Sequence, residues 1–192
     1  MKAINVQWKG ISPLLQNKRP LPNTPIIKVG DRVIVEANKT TKRKNETDII
    51  DILKLCHSDD KGIFIPYNAV FKTIMNGGQF VQGKTRMQTM KKVIMYGTTV
   101  NPERIYLQPQ QEPEAFERAL KRADGQLTTA VDAMFKDWSI NFEIQVDDRV
   151  VNIDKLKESI DLAGTLVGLG CWAPRDTGGR FGKFEVTKWE VK

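Results

Sequence analysis

A chain of 192 residues, 40% hydrophobic and 28% charged, has the make-up of a soluble globular protein, and this length is expected to form one domain spanning 1–192 that folds without metal or disulfide. The formal net charge of +7 favours an anionic partner such as nucleic acid or an acidic membrane surface, set against the plainer explanation of solubility. Cys56 and Cys171 make no disulfide framework and no Cys-x-x-Cys pair; no apolar run approaches the roughly 18 residues of a membrane span, and no h-region follows Met1, so a cytoplasmic protein without a membrane partner is expected.

Ile4, Val6 and Trp8 alternate with polar residues, the period-two pattern of a half-buried strand that Gly10 and Pro13 end. Leu14 to Pro25, with Pro20, Pro22 and Pro25, is expected to be an irregular loop in which Lys18 and Arg19 are exposed candidates for anion contact. A hairpin follows, Ile26–Val29 against Arg32–Glu36 around Gly30-Asp31. Lys39, Lys42, Arg43 and Lys44 then form the densest basic cluster of the chain. It reads either as a solvated loop tip or as an electrostatic arm over a phosphate backbone.

Glu46 to Leu55 reads as a short helix and Ser58–Gly62 as a turn. Ile63–Phe71 passes from an extended segment into a helix with Pro66 at its first position. Val70, Phe71, Ile74 and Met75 form its inward face, and Gly77-Gly78 stops it. Lys84, Arg86, Lys91 and Lys92 lie in a polar, loop-like stretch; Lys92–Gly97 and Arg104–Gln108 then read as strands around Asn101-Pro102. Gln108–Pro113 is a linker, and Glu114–Arg122 has helical propensity.

Beyond Asp137-Trp138, Ile140, Phe142, Ile144 and Val146 alternate as a strand. Asn152 caps the next helix, whose apolar stripe is Ile153, Leu156, Ile160, Ala163 and Val167. That helix runs into a loop holding Gly168, Gly170, Gly178, Gly179 and Gly182 around Trp172, Arg175, Arg180, Phe181 and Lys183. In the closing strand, Phe184 and Val186 share one face and Trp189 and Val191 the other. The order predicts an α+β, ferredoxin-like β-α-β-β-α-β core. An insertion at about residues 14–60 follows its first strand, and the glycine-rich loop precedes its last.

The loop offers cations to hold a phosphate backbone (Arg175, Arg180, Lys183), glycine amides near Gly178 and Gly179, and two aromatics (Trp172, Phe181) that either stack on bases or pack the loop onto the sheet. The preceding helix C-terminus disfavours anions, so the loop's own geometry and cations must hold any phosphate. Lys39, Lys42, Arg43, Lys44, Lys84 and Arg86 complete the candidate nucleic-acid-binding set. His57 is the single histidine and has no assignable acid–base partner. No ligand set for a metal, no Walker motif and no strand-borne dinucleotide fingerprint is present, so no cofactor is expected.

A ferredoxin-like core whose second helix leads through a glycine-rich loop, Gly168-Leu-Gly170 … Gly178-Gly179-Arg180-Phe181-Gly182, into the last strand resembles the RAMP superfamily, the RNA-binding backbone and processing subunits of CRISPR complexes. Here the glycines are interrupted by Trp172 and Pro174. Gly168-Leu-Gly-Cys-Trp-Ala-Pro-Arg … Gly-Arg-Phe-Gly-Lys-Phe-Glu-Val186 and Ile65-Pro-Tyr-Asn-Ala-Val-Phe-Lys72 also resemble small phage proteins. The resemblance implies a phage-encoded relative that holds single-stranded RNA or DNA along a shallow groove, with subunits stacked into a filament. A sequence-tolerant, non-catalytic binding protein is therefore expected ahead of an enzyme. The alternatives are a metal-independent endoribonuclease using His57 with Tyr67 or Lys84, and a structural or assembly protein that binds no nucleic acid.

Overall fold

The computed structural model describes residues 1–18, 26–29, 32–35, 49–83, 88–121, 125 and 127–192. In chain order the strands are β1 (Lys2–Gly10), β2 (Leu14–Gln16), β3 (Ile26–Val29), β4 (Arg32–Val35), β5 (Ile49–Asp51), β6 (Ser58–Asp59), β7 (Gly62–Pro66), β8 (Thr98–Asn101), β9 (Arg104–Gln108), β10 (Glu114–Lys121), β11 (Leu127–Phe135), β12 (Ser139–Val146) and β13 (Phe184–Val191). The helices are α1 (Tyr67–Gly77), α2 (Met90–Gly97), α3 (Ile153–Leu162) and the single turn α4 (Pro174–Thr177).

The main sheet runs β13-β1-β12-β9-β7-β6, with β8 also paired to β12. Its central order, last strand beside first, first beside third, third beside second, is the ferredoxin-like order expected from the sequence. β7 and β6 extend the edge beyond β9. Ile4, Val6 and Trp8 of β1 and Ile140, Phe142, Ile144 and Val146 of β12 are buried. They join Val70 and Ile74 of α1, Ile94 of α2, and Leu156 and Ile160 of α3 in one cluster, so the helices cover one face. At its centre Trp8 stacks on Phe184, centroids 3.9 Å apart at 14°, and meets Phe142 edge-on at 4.9 Å.

Several local expectations hold. The hairpin forms as β3 and β4. Asn152 caps α3, its Oδ1 accepting from the Lys155 amide at 3.0 Å, and the helix continues through a π turn, Ala163–Val167. Pro66 stands one place earlier than expected, as the N-cap of α1, and the Tyr67 amide donates to the Glu103 carbonyl at 2.9 Å.

Other segments differ, each for a tertiary reason. Glu114–Arg122 is expected as a helix, yet β10 pairs residue by residue with β11 from Glu114↔Met134 to Lys121↔Leu127; long-range pairing overrides helical propensity. Lys92–Gly97 is expected as a strand, yet it belongs to α2, because Met90, Val93, Ile94 and Gly97 are buried at helical spacing. Leu14–Pro25 is not wholly irregular: Leu14 and Leu15 are buried in β2, which pairs with β11. Glu46–Leu55 is not an α-helix over its described part; β5 runs parallel to β3 before a 3-10 turn, Ile52–Leu55.

The closing strand also differs. Val186 faces Trp8 and Lys188 faces Gln7, so Thr187 is an extra residue opposite the shift in β1. This bulge returns Trp189 to the position opposite Val6 and Val191 to that opposite Ile4. Phe184, Val186, Trp189 and Val191 therefore share the face of Ile4, Val6 and Trp8, with Val191 still exposed.

Two excursions leave the main sheet, one after β1 and one between β9 and β12. They meet: β10, β11 and β2 form a three-stranded sheet of their own. That small sheet stands beside the glycine-rich loop.

Candidate nucleic-acid interface

The loop from Gly168 to Lys183 is built from the inside by its own amides. Gly168 donates to Ala163 O, Leu169 to Gly182 O, Cys171 to Leu15 O, Gly178 to Pro174 O, Phe181 to Trp172 O and Gly182 to Pro13 O, all at 2.8–3.3 Å. Lys183 donates to Ser12 Oγ at 2.9 Å. These amides face protein acceptors, so they make architecture. Gly182 shows why: its φ is +67°, and a Cβ there would collide with the Leu169 carbonyl.

The loop's side chains divide differently. Arg175, Arg180 and Gly178 are exposed, whereas Trp172, Gly179, Phe181 and Lys183 are half-buried. Trp172 holds φ +54°, a left-handed conformation rare for a bulky residue. The sheet beside the loop steadies both aromatics. Phe116 of β10 meets Phe181 edge-on at 4.9 Å, and the Arg118 guanidinium sits 4.3 Å from the Trp172 ring centroid. Arg118 Nε in turn donates to Asp132 Oδ2, and the other carboxylate oxygen accepts from Asn17 Nδ2 at 2.7 Å. Asp132 is fully buried. Asn17, Asp132, Arg118 and Trp172 thus form a continuous chain from the protein interior to the loop surface.

Lys39, Lys42, Arg43, Lys44, Lys84 and Arg86 fall outside the described residues. The residues flanking the last two do have a place: Lys155 Nζ, in the first turn of α3, donates to Gln82 O and Gly83 O, each at 2.9 Å. The glycine-rich loop leaves the other end of that helix, a rise of about 1.5 Å per residue away. Lys18 is exposed just beyond β2.

A second surface, unmarked in the sequence, lies on the face of the main sheet that the helices leave open. Register puts Asn5 opposite Glu143, Gln7 opposite Asn141 and Ser139 opposite Gln108 on this face. It is rich in uncharged amides. At its β9–β7 edge Phe64 stands opposite Tyr106, with ring centroids 6.0 Å apart. Arg104 lies 5.4 Å over the Phe64 ring, and His57 is 5.8 Å from it.

Asp59 Oδ2 accepts from Arg104 Nη1 at 2.6 Å and from the Tyr106 hydroxyl at 2.9 Å. Although partial desolvation opposes it, these bonds, with the Lys61 amide on Oδ1, hold the Asp59 carboxyl below its usual range. Burial, and then the charge of Lys18, holds the His57 imidazole below 6.5. Among the described residues no group hydrogen-bonds the His57 ring nitrogens, and no cluster of metal-ligating side chains occurs.

Phe64 and Tyr106 escape sequence reading because each sits singly in a short strand; only the pairing of β7 with β9 brings them together. Arg118 and Phe116 escape it because their segment has helical composition.

No family model matches this chain, and no curated protein does. Among solved structures it is similar to a chain of the cryo-EM structure of the Type III-B Cmr-beta bound to cognate target RNA. The TM-score is 0.50 at 12% identity, covering 99% of this chain and 60% of that one. At this identity the likeness is one of fold, and this chain spans about 60% of that chain's length. No helix among the described residues is long and apolar enough to cross a membrane.

Proposed function

We propose that this protein is a RAMP-like, sequence-tolerant binder of single-stranded nucleic acid, RNA or DNA, and that copies self-associate along the strand. The observation that carries the proposal is the division of labour in the glycine-rich loop. Seven of its amides, that of Gly178 among them, are spent on its own architecture, while Arg175 and Arg180 are exposed beside the half-buried Trp172 and Phe181. Exposed cations hold a phosphate backbone without reading sequence, and aromatic faces accept any base. The net charge of +7 supports the same reading, as does the cognate target RNA to which the structurally similar Cmr-beta is bound.

Fluorescence anisotropy with oligo-dT and oligo-rU at two salt concentrations tests it. Binding is expected at low salt, with log K falling linearly in log salt at about 0.7 per phosphate neutralised. Arg180→Ala should make that slope shallower by about 0.7, the share of one contact. No binding at low salt would remove the proposal. Light scattering with and without oligonucleotide reports self-association along the strand.

A further inference from the structure

The open face of the main sheet is a distinct surface from the glycine-rich loop. We infer that the Phe64–Tyr106 pair, with the neighbouring Gln108–Asn141 amide pair, is a nucleobase platform on which one base of a bound single strand stacks. This inference rests on the nucleic-acid reading above and gives the strand a second point of contact.

Three observations carry it. First, the aromatic pair is half-exposed on a face that no helix covers, and its neighbours are themselves planar: the Arg104 guanidinium over Phe64 at 5.4 Å and the His57 ring at 5.8 Å. Phe64 and Tyr106 meet edge to face, at 66°, and aromatic faces and edges at a solvent boundary suit a planar π ligand better than an aliphatic one.

Second, the platform is rigidly held. Asp59 Oδ2 ties down both the Tyr106 hydroxyl, at 2.9 Å, and Arg104 Nη1, at 2.6 Å. The Tyr106 ring is thereby fixed before any ligand arrives, which limits the entropy lost on stacking.

Third, the polar groups beside the rings are matched to base edges. Gln108 stands two residues from Tyr106 on the same strand and therefore on the same face. Gln108 Oε1 accepts from Asn141 Nδ2 at 2.8 Å, so the Gln108 amino group and the Asn141 side-chain carbonyl, which take no part in that bond, are the pair's remaining donor and acceptor. Both residues are exposed. The depression beside the Tyr106 ring, about 650 Å³, is lined by Asp59, Asp60 and Glu103 against Lys61 and Arg104. That lining has no positive excess, so it repels phosphate and admits the uncharged base. The exposed cations of the glycine-rich loop are left to take the backbone.

The test compares wild type with Phe64→Leu, Tyr106→Leu, Tyr106→Phe and Arg180→Ala, by anisotropy with oligo-rU and oligo-dT across a salt series. Loss of one stacked base should weaken binding about 5- to 150-fold in Phe64→Leu and Tyr106→Leu, the range for such stacks. Their salt slopes should stay at the wild-type value, because no phosphate contact is removed. Tyr106→Phe, which keeps the ring, should bind within about 3-fold of wild type, well short of the loss of a stacked base. Wild-type affinity in both leucine variants, while Arg180→Ala weakens binding, would overturn the platform and leave the nucleic-acid reading standing. Absence of wild-type binding would defeat that reading, and the platform with it. Should a leucine variant lose its circular dichroism spectrum, ultraviolet crosslinking of wild type to 4-thiouridine-substituted oligo-rU decides. Adducts on the peptides holding Phe64 or Tyr106 support the platform, and adducts confined to 168–183 overturn it.

Discussion

The Arg118 guanidinium lies 4.3 Å from the Trp172 ring centroid while its Nε donates to the fully buried Asp132 carboxylate. One side chain thus joins an interior charge to a surface aromatic. The ion pair balances Asp132, and the guanidinium face supports an indole whose backbone is in a strained left-handed conformation. Arg118→Ala should therefore be far costlier than an ordinary half-exposed substitution. It leaves a buried carboxylate with the uncharged Asn17 amide in place of its cation, and about 3–5 kcal/mol is expected. Replacing both partners, Arg118→Met with Asp132→Leu, should recover most of that loss. Urea unfolding measures both; a single-variant loss below about 0.5 kcal/mol, the level of a neutral surface change, would show that the pair carries nothing.

Two loop glycines with the same φ separate conformational strain from collision. Gly178 and Gly182 both stand at +67°, but a Cβ on Gly178 meets nothing within 4 Å, whereas on Gly182 it runs into the Leu169 carbonyl. Gly178→Ala should cost only the left-handed penalty, about 1–2 kcal/mol. Gly182→Ala should cost more, and it should break the linked pairing in which Leu169 donates to Gly182 O at 2.9 Å and Gly182 donates to Pro13 O at 2.8 Å. Hydrogen exchange of those two amides should accelerate in Gly182→Ala and stay unchanged in Gly178→Ala.

The same loop shows where sequence reading succeeds and where it stops. Strict alternation made β1 and β12 legible, and helical spacing with an Asn cap made α3 legible, because each pattern is local. The ferredoxin-like order follows from those elements. β10 was hidden because Glu114–Lys121 is composed of helix formers, and only its partner β11 makes it a strand. With it were hidden Phe116 and Arg118, which support the loop aromatics. The bulge at Thr187 was invisible for a similar reason: a single extra residue shows itself only against the register of β1. Cationic loop residues could be named from composition, but their exposure and the internal use of the amides required the tertiary fold.

The Trp8–Phe184 stack ties the first strand to the last, with rings 3.9 Å apart at 14° in the sealed core. Trp8→Ala should cost about 3–5 kcal/mol through lost burial and the cavity left behind. Trp8→Phe should cost less, since it keeps a ring and removes an indole N–H that has no hydrogen-bond partner among the described residues. Thermal unfolding that ranked the two variants equally would contradict this account of the stack.

His57 is the single histidine, which makes its titration separable. Burial, and next the charge of Lys18, lowers its pKa in the folded protein below the 6.5 of a free imidazole. The unfolded chain therefore binds the proton first as pH falls. The contribution to stability is fully present above about 6.5 and is lost progressively as pH drops through that value toward the folded pKa. Urea midpoints measured from pH 7.5 to 5 should decline for wild type. His57→Gln, which has no imidazole to protonate, should lack that decline in the same window. A wild-type midpoint that rose on acidification would mean the folded protein favours the imidazolium, reversing the sign. The Phe64 platform shares this behaviour, because the ring beside it stays neutral at physiological pH and adds no charge to a surface proposed to receive an uncharged base.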